Sequence, residues 1–64
     1  MENWKKYIFE NGEKTLFETD NLSEMYDFFD EFQLLHDNLE FINIYESAYY
    51  TTIHFAGYNL MIKK

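Results

Sequence analysis

Residues 5–18 read KKYIFENGEKTLFE, two apolar-rich runs on either side of Asn11-Gly12. Asn-Gly is the dipeptide that best tolerates the positive φ angles of a type I′ turn, whose twist matches that of paired strands. The pattern predicts a β-hairpin with strands near 3–10 and 13–18. The sequence TDN at 19–21 then breaks the strand. Asn21, followed three residues later by Glu24, fits a capping box, in which each side chain satisfies a free amide at the start of a helix.

That helix is predicted to run from Leu22 to His36. Successive residues stand about 100° apart around a helix axis, which gathers Leu22, Met25, Phe28, Phe29, Phe32, Leu35 and His36 on one arc, with Tyr26 at its border. The opposite arc holds Asp20, Glu24, Asp27, Asp30, Glu31 and Asp37. Leu34 alone interrupts it. Three further runs follow, LEFINIYE (39–46), YYTTIHFA (49–56) and YNLMIKK (58–64), with the β-branched and aromatic content of strands and short joints between them. The order is β-β-α-β-β-β. It predicts an α+β fold, an antiparallel sheet of four or five strands with one amphipathic helix packed on one face, as a single small domain over 1–64.

Alternation sorts the strand residues between the sheet's faces. Tyr49, Ile53 and Phe55 oppose Tyr50, Thr52 and His54; Ile42 and Ile44 oppose Phe41 and Tyr45; Tyr7 and Phe9 oppose Trp4 and Ile8. Both faces carry large apolar groups and one helix covers one face. The aromatic surface around Trp4, Tyr45 and Tyr50 is therefore expected to stay partly open or to be buried by another chain.

A chain of 64 residues buries only about 60% of the surface its unfolded form exposes. With no cysteine, seven Phe, six Tyr and one Trp must supply the core. The net charge is −7, and from Thr15 to Ile62 there is no Lys or Arg at all. Such a field repels nucleic acid and anionic lipid and steers cationic surfaces inward. The expected partner is a protein with a basic surface, without direct nucleic-acid binding and without membrane attachment. No apolar run approaches a membrane span or a signal peptide, so cytoplasmic location is the expectation. Arg, Pro and Val are absent while Asn, Lys, Ile, Phe and Tyr are frequent, a usage expected of an AT-rich gene.

Asp20, Glu24, Asp27 and Glu31 are spaced four, three and four residues apart, stacking along one helical line with separations of the same order as a row of DNA phosphates. Like charges at that spacing cost a few tenths of a kcal/mol per pair, a loss that lysines would have removed. The acidic arc is either a solvated face or a partner surface. In the second case Asp20, Glu24, Asp27, Asp30 and Glu31 act as phosphate surrogates, with Leu34 as an apolar anchor inside a polar rim. A different reading makes the chain a homodimer through Trp4, Tyr45 and Tyr50, the acids serving solubility. A third expects a ligand cavity among Phe28, Phe32 and Ile53.

Catalysis finds little support. Ser23 and Ser47 have no triad context, and neither glycine belongs to a phosphate loop. His36 and His54, even with Asp30, Asp37 and Glu40, show no metal-ligand spacing. No enzyme activity, metal or cofactor is expected. In size, acidity, aromatic content and lack of Arg the chain looks like the small inhibitory proteins that phages and mobile elements encode, some of which mimic DNA. The likeness is one of composition and assigns no residues.

Overall fold

Gly12 adopts φ +90°, a left-handed conformation that costs glycine nothing and an L side chain a good deal. It stands at the first central position of the hairpin turn, with Glu13 second, because Asn11 N–H already pairs with the Lys14 carbonyl. The Asn11 side-chain oxygen accepts from the amides of both Glu13 (2.9 Å) and Lys14 (3.0 Å). The turn is thus centred one residue later than the sequence predicts. An Asn side chain can replace a backbone carbonyl as acceptor, and a register shift between Phe9 and Glu10 absorbs the extra residue.

The computed structural model describes residues 5–36 and 39–64. Six elements follow in order: β1 (Tyr7–Glu10), β2 (Thr15–Thr19), α1 (Leu22–Leu35), β3 (Phe41–Glu46), β4 (Tyr50–Phe55) and β5 (Tyr58–Lys63). The strands make one antiparallel sheet in the order β2-β1-β5-β4-β3, so the expected α+β architecture is the one found. Among the described residues, no helix is long and apolar enough to cross a membrane.

α1 starts at Asn21, whose extended backbone (φ −105°, ψ 118°) and side-chain oxygen, accepting from the amides of Ser23 and Glu24, make it the N-cap. The reciprocal half of the expected capping box is different. Glu24 does not reach the Asn21 amide; the buried Thr19 hydroxyl stands between them, accepting from Asn21 N–H (3.1 Å) and donating to Glu24 Oε1 (2.6 Å). The last turn carries no basic residue, so nothing in the chain's own helix offsets the negative end of its dipole.

Aromatic rings build the core. Phe9, fully buried, meets Phe28, Phe29, Phe32 and Tyr58 with centroids 4.9–5.9 Å away, mostly in the edge-to-face geometry that the ring quadrupole favours. Phe17 stacks on Phe28 at 4.6 Å and draws the helix toward the β2 side. Tyr7, Phe9 and Met25 form the buried centre.

Two face assignments change. β3 has a register shift between Phe41 and Asn43, a bulge that reverses the alternation. Phe41 pairs with Phe55 and Ile44 with Ile53, so Phe41 joins Ile44 on the helix side instead of opposing it. Leu35, placed by its azimuth on the apolar arc, is 80% exposed. Phe32, three residues earlier, is the last helical ring packed on the sheet, against Phe9 and Tyr58, so cover from the sheet ends before Leu35.

Candidate protein-interaction surface

The expected acidic band is smaller than its sequence outline, and its members have different surroundings. Asp20 precedes the N-cap and is not helical, so it does not continue the line of Glu24, Asp27 and Glu31. It accepts the Lys6 amide at 2.8 Å and pairs with Lys5 Nζ at 3.7 Å. A lysine from the start of the chain therefore offsets its charge. Glu24 is committed to Thr19. Asp37 lies outside the described residues.

Asp27, Asp30 and Glu31 are left, all exposed. Among the described residues, the two ion pairs are Lys5 with Asp20 and Lys64 with Glu46, so neither involves these three acids. Asp27 and Glu31 stand one turn apart, as do Asp30 and Leu34. Leu34 is 85% exposed and its neighbour Leu35 nearly as much. The solvent side of α1 thus presents three uncompensated carboxylates around two bare leucines. Sequence periodicity found Leu34 but missed Leu35, because azimuth says nothing about where the sheet ends.

The sheet face away from α1 is more closed than expected. Tyr50 is only 4% exposed. Its hydroxyl approaches the Lys5 carbonyl at 3.4 Å, and its ring helps line a depression of ≈ 300 Å³ with Ile8, Glu18 and Met61. Burial first, and the nearby Glu18 charge second, push the Tyr50 phenol above its ordinary value of 10.0. A side chain already covered within its own chain offers little to a dimer partner. Tyr45 is about half exposed, and Trp4 lies outside the described residues.

On that face sits a hydrogen-bonded row that sequence reasoning did not anticipate. Asn59 Nδ2 donates to Glu10 Oε2 at 3.1 Å, which leaves its oxygen to accept from His54 Nδ1 at 2.6 Å. With the Asn59 oxygen as acceptor, the donor in that contact is the His54 Nδ1–H. Glu10, Asn59 and His54 come from β1, β5 and β4, so only the strand register reveals the row. His36, at the helix C-cap, stacks on Phe32 at 4.2 Å. Among the described residues, no group of three or more His, Asp or Glu is placed to hold a metal ion.

Of the residues expected on an open aromatic face, Tyr50 is covered and Tyr45 is exposed, and the edge strand β3 that carries Tyr45 exposes further apolar side chains. Phe41, Ile42, Ile44 and Tyr45 are each slightly more than half exposed. On the helix side, an apolar cleft of ≈ 250 Å³ is lined by Leu22, Tyr26 and Phe29 of α1 and by Ile53 and Phe55 of β4, the Phe29 and Phe55 rings meeting at 5.5 Å. It shares Ile53 with the cavity anticipated from the sequence, but Phe28 and Phe32 are packed against Phe9 instead. Comparison with family models, curated proteins and solved structures finds no match.

Proposed function

We propose that this chain is a small acidic binding protein that occupies a basic, nucleic-acid-binding surface of a host or defence protein and thereby inhibits it. One observation carries the reading: Asp27, Asp30 and Glu31 face solvent on α1, outside both ion pairs of the described residues, around the exposed Leu34. Carboxylates left unpaired in a small domain attract a cationic surface at long range, and a bare leucine between them supplies the desolvated contact that holds it. Asp20 and Glu24 contribute field more than contact, since each already has an intramolecular partner.

Charge reversal tests the assignment. The double variant Asp27→Lys/Glu31→Lys is expected to keep its circular dichroism spectrum and lose salt-sensitive capture of nucleic-acid-binding proteins from a low-GC bacterial lysate. Duplex DNA is expected to compete with the unsubstituted protein for the same captured species. Capture by the variant that persists unchanged at moderate salt refutes the assignment.

The exposed apolar residues of β3 favour a second reading, a homodimeric interaction module. Light scattering across a concentration range separates the two, because a strict monomer eliminates the dimer.

A further inference from the structure

A helix is about 10 Å across, and five strands about 4.8 Å apart span roughly twice that, so α1 cannot cover the whole sheet. Phe28 stacks on Phe17 of β2 and Phe29 reaches the buried Phe55 at the end of β4, ring centroids 5.5 Å apart, so the uncovered strip is the rest of the β3–β4 half, around Ile44 and Ile53. The cleft beside Tyr26 and Phe29 opens this strip, and Ile44 and Phe41 extend it toward the sheet edge through their pairing with Ile53 and Phe55.

What the strip accepts is narrowed by its edge and by its charge. The β3 edge resists another strand, since the ladder is bulged between Phe41 and Asn43 and the Ile44 amide is taken by Asn43 Oδ1 at 2.7 Å. Bulges and occupied edge amides are devices that prevent strand addition. Around the strip the charge is acidic. The helix stripe of Tyr26 continues one turn on to Asp30 and Glu40 precedes β3, both outside the ion pairs of the described residues, whereas Lys64 already offsets Glu46 at 2.6 Å. A second copy would bring another net charge of −7 against this one, whereas a cationic segment meets opposite charge.

We propose that the groove between α1 and the β3–β4 half of the sheet binds an amphipathic, lysine- or arginine-rich helix of the partner. Its apolar residues rest on Tyr26, Ile44 and Ile53, and its cations reach Asp27 and Asp30. The proposal rests on the acidic-surface reading above and locates the apolar half of that contact.

The probe is a Leu/Lys peptide of about 14 residues, four helical turns, with leucine at i, i+3, i+4 and i+7. It is titrated into the isotopically labelled protein beside a scrambled isomer and a Leu/Glu version. The amphipathic Lys peptide is expected to bind about tenfold tighter than its isomer, to shift the amides of Tyr26, Ile44 and Ile53, and to bind the exposed-site variant Ile44→Ser several-fold more weakly. Equal binding of the two isomers, with shifts confined to Asp27 and Glu31, overturns the groove while leaving the acidic surface standing. Equal binding of the Leu/Glu peptide in the groove overturns both. A dimer in sedimentation that Ile44→Ser dissolves makes a second copy the occupant and overturns the proposal.

Discussion

The Thr19 hydroxyl donates to Glu24 Oε1 at 2.6 Å while it accepts the Asn21 N–H, so one buried hydroxyl joins the end of β2 to the first turn of α1. Replacing it with an isosteric methyl removes both bonds and leaves a backbone donor unmet. Thr19→Val is expected to destabilise the fold by about 1–2 kcal/mol, read as a lower urea midpoint at unchanged slope. Glu24→Gln keeps an oxygen to accept from Thr19 and loses only its charge at the helix N-terminus, so its loss should be the smaller, about 0.3–1 kcal/mol.

Phe9 is the point at which the helix, β1 and β5 meet. Truncation to alanine removes ring contacts with four neighbours, a change that typically costs about 3–5 kcal/mol. A single core in a chain this short rarely supplies more than about 3–5 kcal/mol in total. Phe9→Ala is therefore expected to be largely unfolded at room temperature by circular dichroism, and Phe9→Leu to remain folded with a lower melting temperature.

Leu34 and Leu35 predict the reverse. Both are more than three-quarters exposed, so Leu34→Ser and Leu35→Ser should each shift stability by no more than about 0.5 kcal/mol. If these leucines anchor a partner, the same substitutions will weaken partner capture by tenfold or more. A large loss of stability for Leu35→Ser would place that side chain in the core and remove it from the surface.

The buried Tyr50 phenol supplies a pH signature. Its value in the folded protein is raised, by burial and by Glu18, above the ordinary 10.0. A raised acid favours the folded state fully below the unfolded value, and that contribution is lost as pH rises from about 10 through the folded value. Alkaline denaturation is expected to flatten in Tyr50→Phe relative to the parent when melting temperature is followed from pH 8 to 12.

The hairpin and the helix were legible because their signals are local. Asn11-Gly12 lies within one turn, and the α1 pattern repeats over 14 residues. Outcomes that depend on distant pairing were not legible. Alternation assigned Phe41 to the wrong face because a bulge is a property of two strands, and the sequence of β3 alone does not display it. The Glu10–Asn59–His54 row needs partners up to 49 positions apart to fall in register. For the candidate surface, helical azimuth correctly placed Asp27, Asp30, Glu31 and Leu34 outward. It could not foresee that Lys5 would cross to Asp20, which depends on the path of the hairpin.

β5 is the sixth element along the chain but the third strand across the sheet, lying between β1 and β4. Before it inserts, the β1–β2 hairpin with its helix and the β3–β4 hairpin share no backbone ladder. Assembly must therefore await a closure over some fifty residues, from Ile8 to Met61, and such non-local pairing slows folding and keeps it all-or-none. A nascent or proteolysed chain lacking residues 58–63 would consist of two separate hairpins with their apolar faces bare, an aggregation-prone species.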